Sequence, residues 1–105
     1  MPDSGVLSAI SMARGAGQLK IGFDATVKCL GRDAVLVLTA NDISQRTLAA
    51  MTKACGNLAE QLAIDFSQDE IEEVVGRRFA VCAITDDNFA FLIKSKLAKH
   101  KEAHI

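Results

Sequence analysis

Ala16-Gly17-Gln18-Leu19-Lys20-Ile21-Gly22-Phe23-Asp24-Ala25-Thr26-Val27-Lys28 is the stretch on which the reading of the fold turns. Leu19 to Ile21 has the composition of a short strand, and Gly22 then turns the chain. Phe23, Val27 and Leu30 recur at helical spacing and predict one apolar face of a helix. Asp24 and Lys28 fall on a neighbouring, solvated face. A glycine hinge therefore feeds a helix N-terminus whose first N–H groups lack intrahelical partners. Such a terminus attracts anions, phosphate above all, and Lys28 adds a positive charge one turn in. The bland alternative is an Asp24–Lys28 helix pair four residues apart, worth only about 0.3 kcal/mol.

Upstream of this stretch, Val6, Leu7, Ile10 and Ala13 predict a helix capped by Asp3 or Ser4 and ended by Gly15 and Gly17. Downstream, the hinge helix stops near Gly31. Ala34 to Leu38 is a continuous apolar run, as in strands covered on both faces. Thr39-Ala40-Asn41-Asp42 follows as a polar turn able to cap a helix with Leu48 and Met51 on its apolar side, ending at Gly56-Asn57. Leu62 to Phe66 reads as a further strand. Ser67-Gln68-Asp69-Glu70 has capping-box spacing and starts a helix with Ile71, Val74 and Val75 inward and Glu72 and Glu73 outward. After Gly76 and Arg77-Arg78, Phe79 to Ile84 is another apolar strand. Asp86 or Asp87 caps a last helix with Phe89, Leu92, Ile93 and Leu97 on its core side; from about residue 98 a polar, frayed tail is expected. Helices and strands alternate with short connections, which predicts a single domain over 1–105: an α/β fold, a three-layer α/β/α sandwich on a mixed four-stranded sheet.

The 105 residues suffice for one small core, and half of them are apolar. The formal net charge is −1, so any nucleic-acid affinity must come from a local patch. The opening Met-Pro-Asp-Ser has no basic or apolar leader character, and no apolar run reaches the roughly 20 residues of a membrane span. A cytoplasmic protein, with no membrane association, is expected. Cys29, Cys55 and Cys82 have neither metal-ligand nor redox-motif spacing and read as small buried hydrophobes.

Catalytic signals are poor. Gly15-Ala16-Gly17 with Gly22 follows a helix and precedes a strand, the reverse of a dinucleotide loop. Thr39, Asp42, Asp65, Asp86 and Asp87 invite a phospho-acceptor reading, but capping and turn chemistry explain at least four of them. His100 and His104 form an i,i+4 pair without further ligands. No enzyme activity, metal or cofactor is expected. Arg14, Lys20, Lys28 and Arg32 cluster around the hinge, Arg46 and Lys53 lie on the polar side of the next helix, and Arg77-Arg78 are consecutive. Asp65, Asp69, Glu70, Glu72 and Glu73 concentrate acid in one segment. Lys94, Lys96, Lys99 and Lys101 read as a solvated helix face. The chain has no Trp or Tyr, and its five Phe residues fit core positions, so there is no platform for stacking single-stranded bases. RNA would have to be read as a folded shape.

Ligand sites in alternating α/β units gather beyond the C-terminal ends of strands. Those loops include Gly22-Phe23-Asp24, Ala40-Asn41-Asp42 and Thr85-Asp86-Asp87. Gly76-Arg77-Arg78 instead enters the last strand, and joins the others only if the first or last strand is reversed.

The run Arg14-x-Ala16-Gly17-Gln18-Leu19-x-Ile21-Gly22 followed by Lys28, with Ala40-Asn41-Asp42 and Ala83-Ile84-Thr85-Asp86, resembles the L-seven-Ae/L-thirty-e ribosomal protein superfamily. The resemblance spans about residues 6–97 and points to the bacterial YlxQ/YbxF-like branch. It implies the same sandwich and a non-catalytic, kink-turn RNA-binding protein of ribosomal-protein type, associated with the ribosome or another ribonucleoprotein; the sequence does not fix the oligomeric state, and a monomer is favoured. In RNA-binding members a glycine at the position of Gly22 lets the backbone approach the RNA. An asparagine and a glutamate, two and three residues later, contact the sheared G·A region, and a lysine six residues later contacts the RNA. Gly22 and Lys28 match; Asp24 and Ala25 stand in place of the asparagine and glutamate. The implied site comprises Lys20, Gly22, Phe23, Asp24, Ala25, Lys28, Asn41, Asp42, Arg77 and Arg78. Asp24, Ala25 and the near-neutral charge also suit the alternative, a protein-interaction module on the same fold that has lost RNA binding.

Overall fold

Two short apolar strands form the centre of the molecule because their residues cannot tolerate water on either face. In β2 (Leu36–Thr39) and β4 (Val81–Ile84) every residue is buried. β1 (Leu19–Ile21) and β3 (Glu60–Ala63) mix half-buried and exposed positions and lie at the edges, giving the sheet order β1-β4-β2-β3. β2 and β3 run parallel, with Leu36 opposite Glu60 and Thr39 opposite Ala63. β4 runs antiparallel to both neighbours, with Ile21 opposite Cys82 on one side and Thr39 opposite Val81 on the other. The sheet is therefore mixed, and its reversed member is the last strand. The computed structural model describes residues 5–103, with side chains described to residue 99. Asp3, Ser4 and the His100–His104 pair lie outside the described side chains.

Among the described residues, five helices cover the two faces. α1 (Val6–Gly15), α4 (Gln68–Val75) and α5 (Asp87–Ala103) lie on one side. There Val6, Leu7, Ile10, Ile71, Val75, Ile93 and Leu97 join Leu36, Leu38, Cys82 and Ile84 in the main core. α2 (Phe23–Cys29) and α3 (Gln45–Cys55) cover the other side, where Met51 and Cys55 pack on Val37 and Val81, and Cys29 on Ala83. This is the expected α/β/α sandwich. Cys29, Cys55 and Cys82 are all buried as free thiols, and burial raises the Cys82 thiol far above its ordinary range. Among the described residues no helix is long and apolar enough to cross a membrane.

Several local expectations change. α2 buries Thr26 and Cys29, with Phe23 and Leu30 partly covered, while Val27 is exposed; the inward face is rotated by one residue from the Phe23–Val27–Leu30 stripe. In α4, Ile71 and Val75 face inward but Val74 does not. β3 starts two residues earlier than Leu62, because Glu60 and Gln61 can occupy an edge strand while keeping polar atoms in contact with water. Phe91 is 74% exposed and its neighbour Ala90 is buried, so not every Phe is a core residue. α5 runs from Asp87 to Ala103, and its run of Lys, Ala and Glu favours a helix. α3 is capped by Ser44, whose hydroxyl accepts from the Thr47 N–H, and not by Asn41 or Asp42. Asp86 caps α5 through the Phe89 N–H, and the Ser67–Glu70 capping box starts α4 as expected.

Candidate functional site

The reversal of β4 decides which loops meet. β1, β2 and β3 end, and β4 begins, at the same edge of the sheet. Gly22 N–H donates to the Val81 carbonyl at 2.9 Å, and Ala40 N–H to the Ala80 carbonyl at 2.9 Å. The hinge and the Asn41-Asp42 turn thus flank the entry into β4, two strand spacings or about 10 Å apart. Gly76-Arg77-Arg78 leads into that entry and joins them. Thr85-Asp86-Asp87, the third expected loop, lies at the opposite end because β4 runs the other way.

Gly22 adopts φ 102°, ψ 164°, a region open essentially to glycine alone. A methyl group built there would meet nothing within 4 Å, so the glycine is demanded by backbone angle and the space outside it is open. The amides of Phe23, Asp24 and Ala25 begin α2 and lack intrahelical partners. Phe23 is half-buried against the α2–α3 core, Ala25 is half-buried, and Asp24 is exposed. α2 is only seven residues long, which puts Lys28 in its last turn, about 9 Å along the axis from Gly22. Lys28 is exposed and forms no ion pair with Asp24; the i,i+4 pairing is not made. Its charge instead favours the negative end of its own helix.

Lys20 lies in the middle of β1, opposite Ala83, with its side chain exposed. It stands near Cys29 together with Arg32. Burial raises the Cys29 thiol and Asp33 pushes the same way, while Lys20 and Arg32 pull it down. The basic residues of the hinge stretch therefore flank α2 and the β1 edge, and the loops carry the rest of the site. Arg14 is withdrawn from it: its guanidinium donates to the Val75 carbonyl at 3.0 Å and closes the C-terminus of α4.

The polar loop residues are largely committed to one another. Asn41 Nδ2 donates to Asp65 Oδ1 at 3.4 Å, and Asn41 N–H to the Phe66 carbonyl at 2.9 Å. Asp42 Oδ1 accepts from the Gln68 N–H at 3.1 Å and so caps α4, a helix 26 residues further on. Arg78 pairs with Asp69. Hydrogen bonding to Asp69 raises the Arg78 guanidinium above its ordinary range, and Asp69, Glu72 and Asp42 add negative potential in the same direction. Arg77 is exposed and makes no hydrogen bond or ion pair among the described residues. The charge at this end is mixed.

Sequence reasoning missed the Asp69–Arg78 pair, the trans cap by Asp42 and the buried hydroxyl of Thr26, which has no partner. A signal for the first was present: the capping box puts Asp69 in the first turn of a short helix, and Arg78 follows soon after its glycine stop. Among the described residues no group of three or more His, Cys, Asp or Glu could hold a metal ion.

No protein-family model matches the chain, and no curated protein does. Solved structures that resemble it include a protein of unknown function from Bacillus halodurans, with TM-score 0.82 and 19% identity over 90% of this chain and 98% of that one. They also include the Giardia lamblia 15.5kD RNA binding protein, with TM-score 0.68 and 18% identity over 89% of this chain and 82% of that one. The mixed four-stranded α/β architecture is thus shared with both of these structures. At these identities the likeness is one of fold, and it does not single out the YlxQ/YbxF-like branch.

Proposed function

We propose that this is a non-catalytic, cytoplasmic RNA-binding protein of ribosomal-protein type. It recognises a folded, kink-turn-like RNA with the end of the sheet where β4 begins, and acts as a monomer within a ribosome or other ribonucleoprotein. One observation carries the reading: reversed β4 gathers the open Gly22 hinge, the Asn41-Asp42 turn and the loop carrying the free Arg77 at one end of the sheet, with exposed Lys20 and Lys28 beyond the hinge. The Giardia structure of the same fold, an RNA binding protein by its name, supports it. In this mechanism Lys20, Lys28 and Arg77 neutralise phosphates, which position the RNA. The Gly22 backbone allows close approach, and Asn41 and the first amides of α2 supply polar contacts. Ala25 makes no base hydrogen bond. Asp24 accepts one from a guanine edge at the expense of repelling nearby phosphates.

A second reading, a protein-interaction module, is favoured by the mixed charge at this end and by the exposed Phe91 on α5. Fluorescence-anisotropy titration against a kink-turn RNA, with a control RNA whose G·A pairs are replaced, separates the two. Wild type and the Lys28→Ala and Arg77→Ala variants are each measured at 50 and 200 mM salt. Recognition by this end gives binding that weakens with salt, with the control RNA and in both variants. Binding indifferent to the G·A pairs reduces the surface to a basic patch. No binding at 50 mM salt refutes the RNA reading and leaves the protein partner.

A further inference from the structure

The acidic N-terminal turn of α4 stands against the one arginine of the site that is already paired. Asp69 lies in that first turn and bonds Arg78, with the two side chains 84% and 48% exposed. Solvent and ions therefore reach both partners. Asp69 does not depend on Arg78 for its charge to be tolerated, because an acid in a helix first turn is favoured by the N-terminal partial charge. α4 is independently held by the Ser67–Glu70 capping box and by the Asp42 cap on Gln68. The pair can therefore open without unwinding the helix.

We infer that Asp69 is an internal competitor for RNA phosphate: it occupies Arg78 in the free protein and must be displaced when a phosphate arrives at that arginine. The inference rests on the RNA reading above and adds a regulating residue to that site. Its physical consequence is specific. A phosphate that binds a free arginine releases a condensed counterion and steepens the salt dependence by about 0.9 in log K against log salt. A phosphate that takes Arg78 from Asp69 also leaves a bare carboxylate that recruits a cation, so the net ion release from this contact is close to none. Asp69 thereby limits non-specific affinity and leaves the shape of the RNA to decide binding.

The test compares wild type, Asp69→Asn, Asp69→Ala, Arg78→Ala, Arg77→Ala and the Asp69→Asn/Arg78→Ala double variant. The readout is fluorescence anisotropy with the kink-turn RNA and its G·A-replaced control between 50 and 200 mM salt. Circular dichroism melts confirm that each variant is folded. Asp69→Asn and Asp69→Ala are expected to steepen the slope by about 0.9, so that their advantage over wild type is about 3.5-fold larger at 50 mM than at 200 mM. Arg78→Ala alone leaves the slope unchanged, and in the Asp69→Asn background it removes the gain. The control RNA gains as much as the kink-turn RNA. A slope unchanged in Asp69→Asn while Arg77→Ala makes it shallower overturns the inference and leaves the RNA reading standing. Absence of binding by every protein at 50 mM salt overturns both.

Discussion

Replacing Gly22 with alanine tests the hinge at its most demanding atom. Both polar groups of the Gly22 backbone are engaged: its N–H donates to Val81 O at 2.9 Å, and its carbonyl accepts from Thr26 N–H at 3.1 Å. The residue cannot leave φ 102°, ψ 164° without breaking the sheet edge or the first turn of α2. No neighbour lies within 4 Å of an added Cβ, so steric collision contributes nothing and the effect is backbone strain alone. Strain of this kind amounts to about 1–3 kcal/mol. For a domain of this size each kcal/mol lowers Tm by about 4–8 °C, so Gly22→Ala is expected to melt roughly 5–20 °C below wild type. Urea unfolding should shift in midpoint with no change in slope, because the surface exposed on unfolding is the same. Gly15→Ala is the matched control. Gly15 is helical, with nothing within 4 Å of an added Cβ, and alanine there should stabilise by about 0.5–1 kcal/mol. A Gly22→Ala loss below about 0.5 kcal/mol, within the range of ordinary surface substitutions, would refute the argument that sheet and helix together pin the hinge.

Three further outcomes follow from the same contacts. The Thr26 hydroxyl is buried with no hydrogen-bond partner, a desolvation penalty of about 1–3 kcal/mol; Thr26→Val keeps the shape and should raise Tm by several degrees in a calorimetric scan. Asp42→Ala removes the acceptor for the Gln68 amide and should destabilise by about 1 kcal/mol in urea, whereas Asp42→Asn, which keeps an oxygen there, should lose less. Burial raises the Cys82 thiol well above the ordinary thiol value of 9.0, so at alkaline pH the unfolded chain loses that proton first. Stability should be unaffected by this group below pH 9 and fall above it by up to about 1.4 kcal/mol per pH unit. Urea midpoints measured from pH 8 to 10.5 should show this fall, and Cys82→Ala should flatten it.

The residues show why the fold was legible and where legibility stopped. Leu36–Leu38 and Val81–Ile84 cannot be anything but interior strands, and Gly22, Gly31, Gly56 and Gly76 close turns whose positive φ excludes most other residues. Helix facing was readable only to within one residue. Thr26 is polar by composition yet enters the core of α2, while Val27 and Val74 face water, because packing against the sheet chooses among adjacent positions. Strand direction was not readable at all: the apolar run of β4 satisfies burial equally well in either sense. That undecided sign settled the site, since it put the loop carrying Arg77 and Arg78 at the same end of the sheet as Gly22 and sent Thr85–Asp87 to the far end. The site residues were named through a resemblance in the hinge stretch. Their mutual commitments, Asn41 with Asp65, Asp42 with Gln68 and Arg78 with Asp69, connect segments 9 to 26 residues apart, and no local pattern encodes them.

The charge ledger of the site constrains how it would work. Lys20, Lys28 and Arg77 are exposed and without a hydrogen-bond or ion-pair partner among the described residues; Arg78 is held by Asp69, and Arg14 by a helix carbonyl. Three free cations give a salt slope of at most about 2.7, or roughly a 40-fold loss of affinity between 50 and 200 mM salt. A protein making 6–10 phosphate contacts loses about 10³–10⁵ over the same range, so a surface with three such contacts has a far smaller electrostatic contribution and holds an arbitrary RNA weakly. Useful affinity must then come from what shape adds: close approach at the open Gly22 backbone and directed contacts from Asn41 and the α2 amides. The kink-turn RNA should accordingly outbind its G·A-replaced control by a ratio that is nearly independent of salt, while both affinities fall together. A ratio that collapses toward one at high salt would mean that the discrimination is electrostatic, and the hinge would then have no part in it.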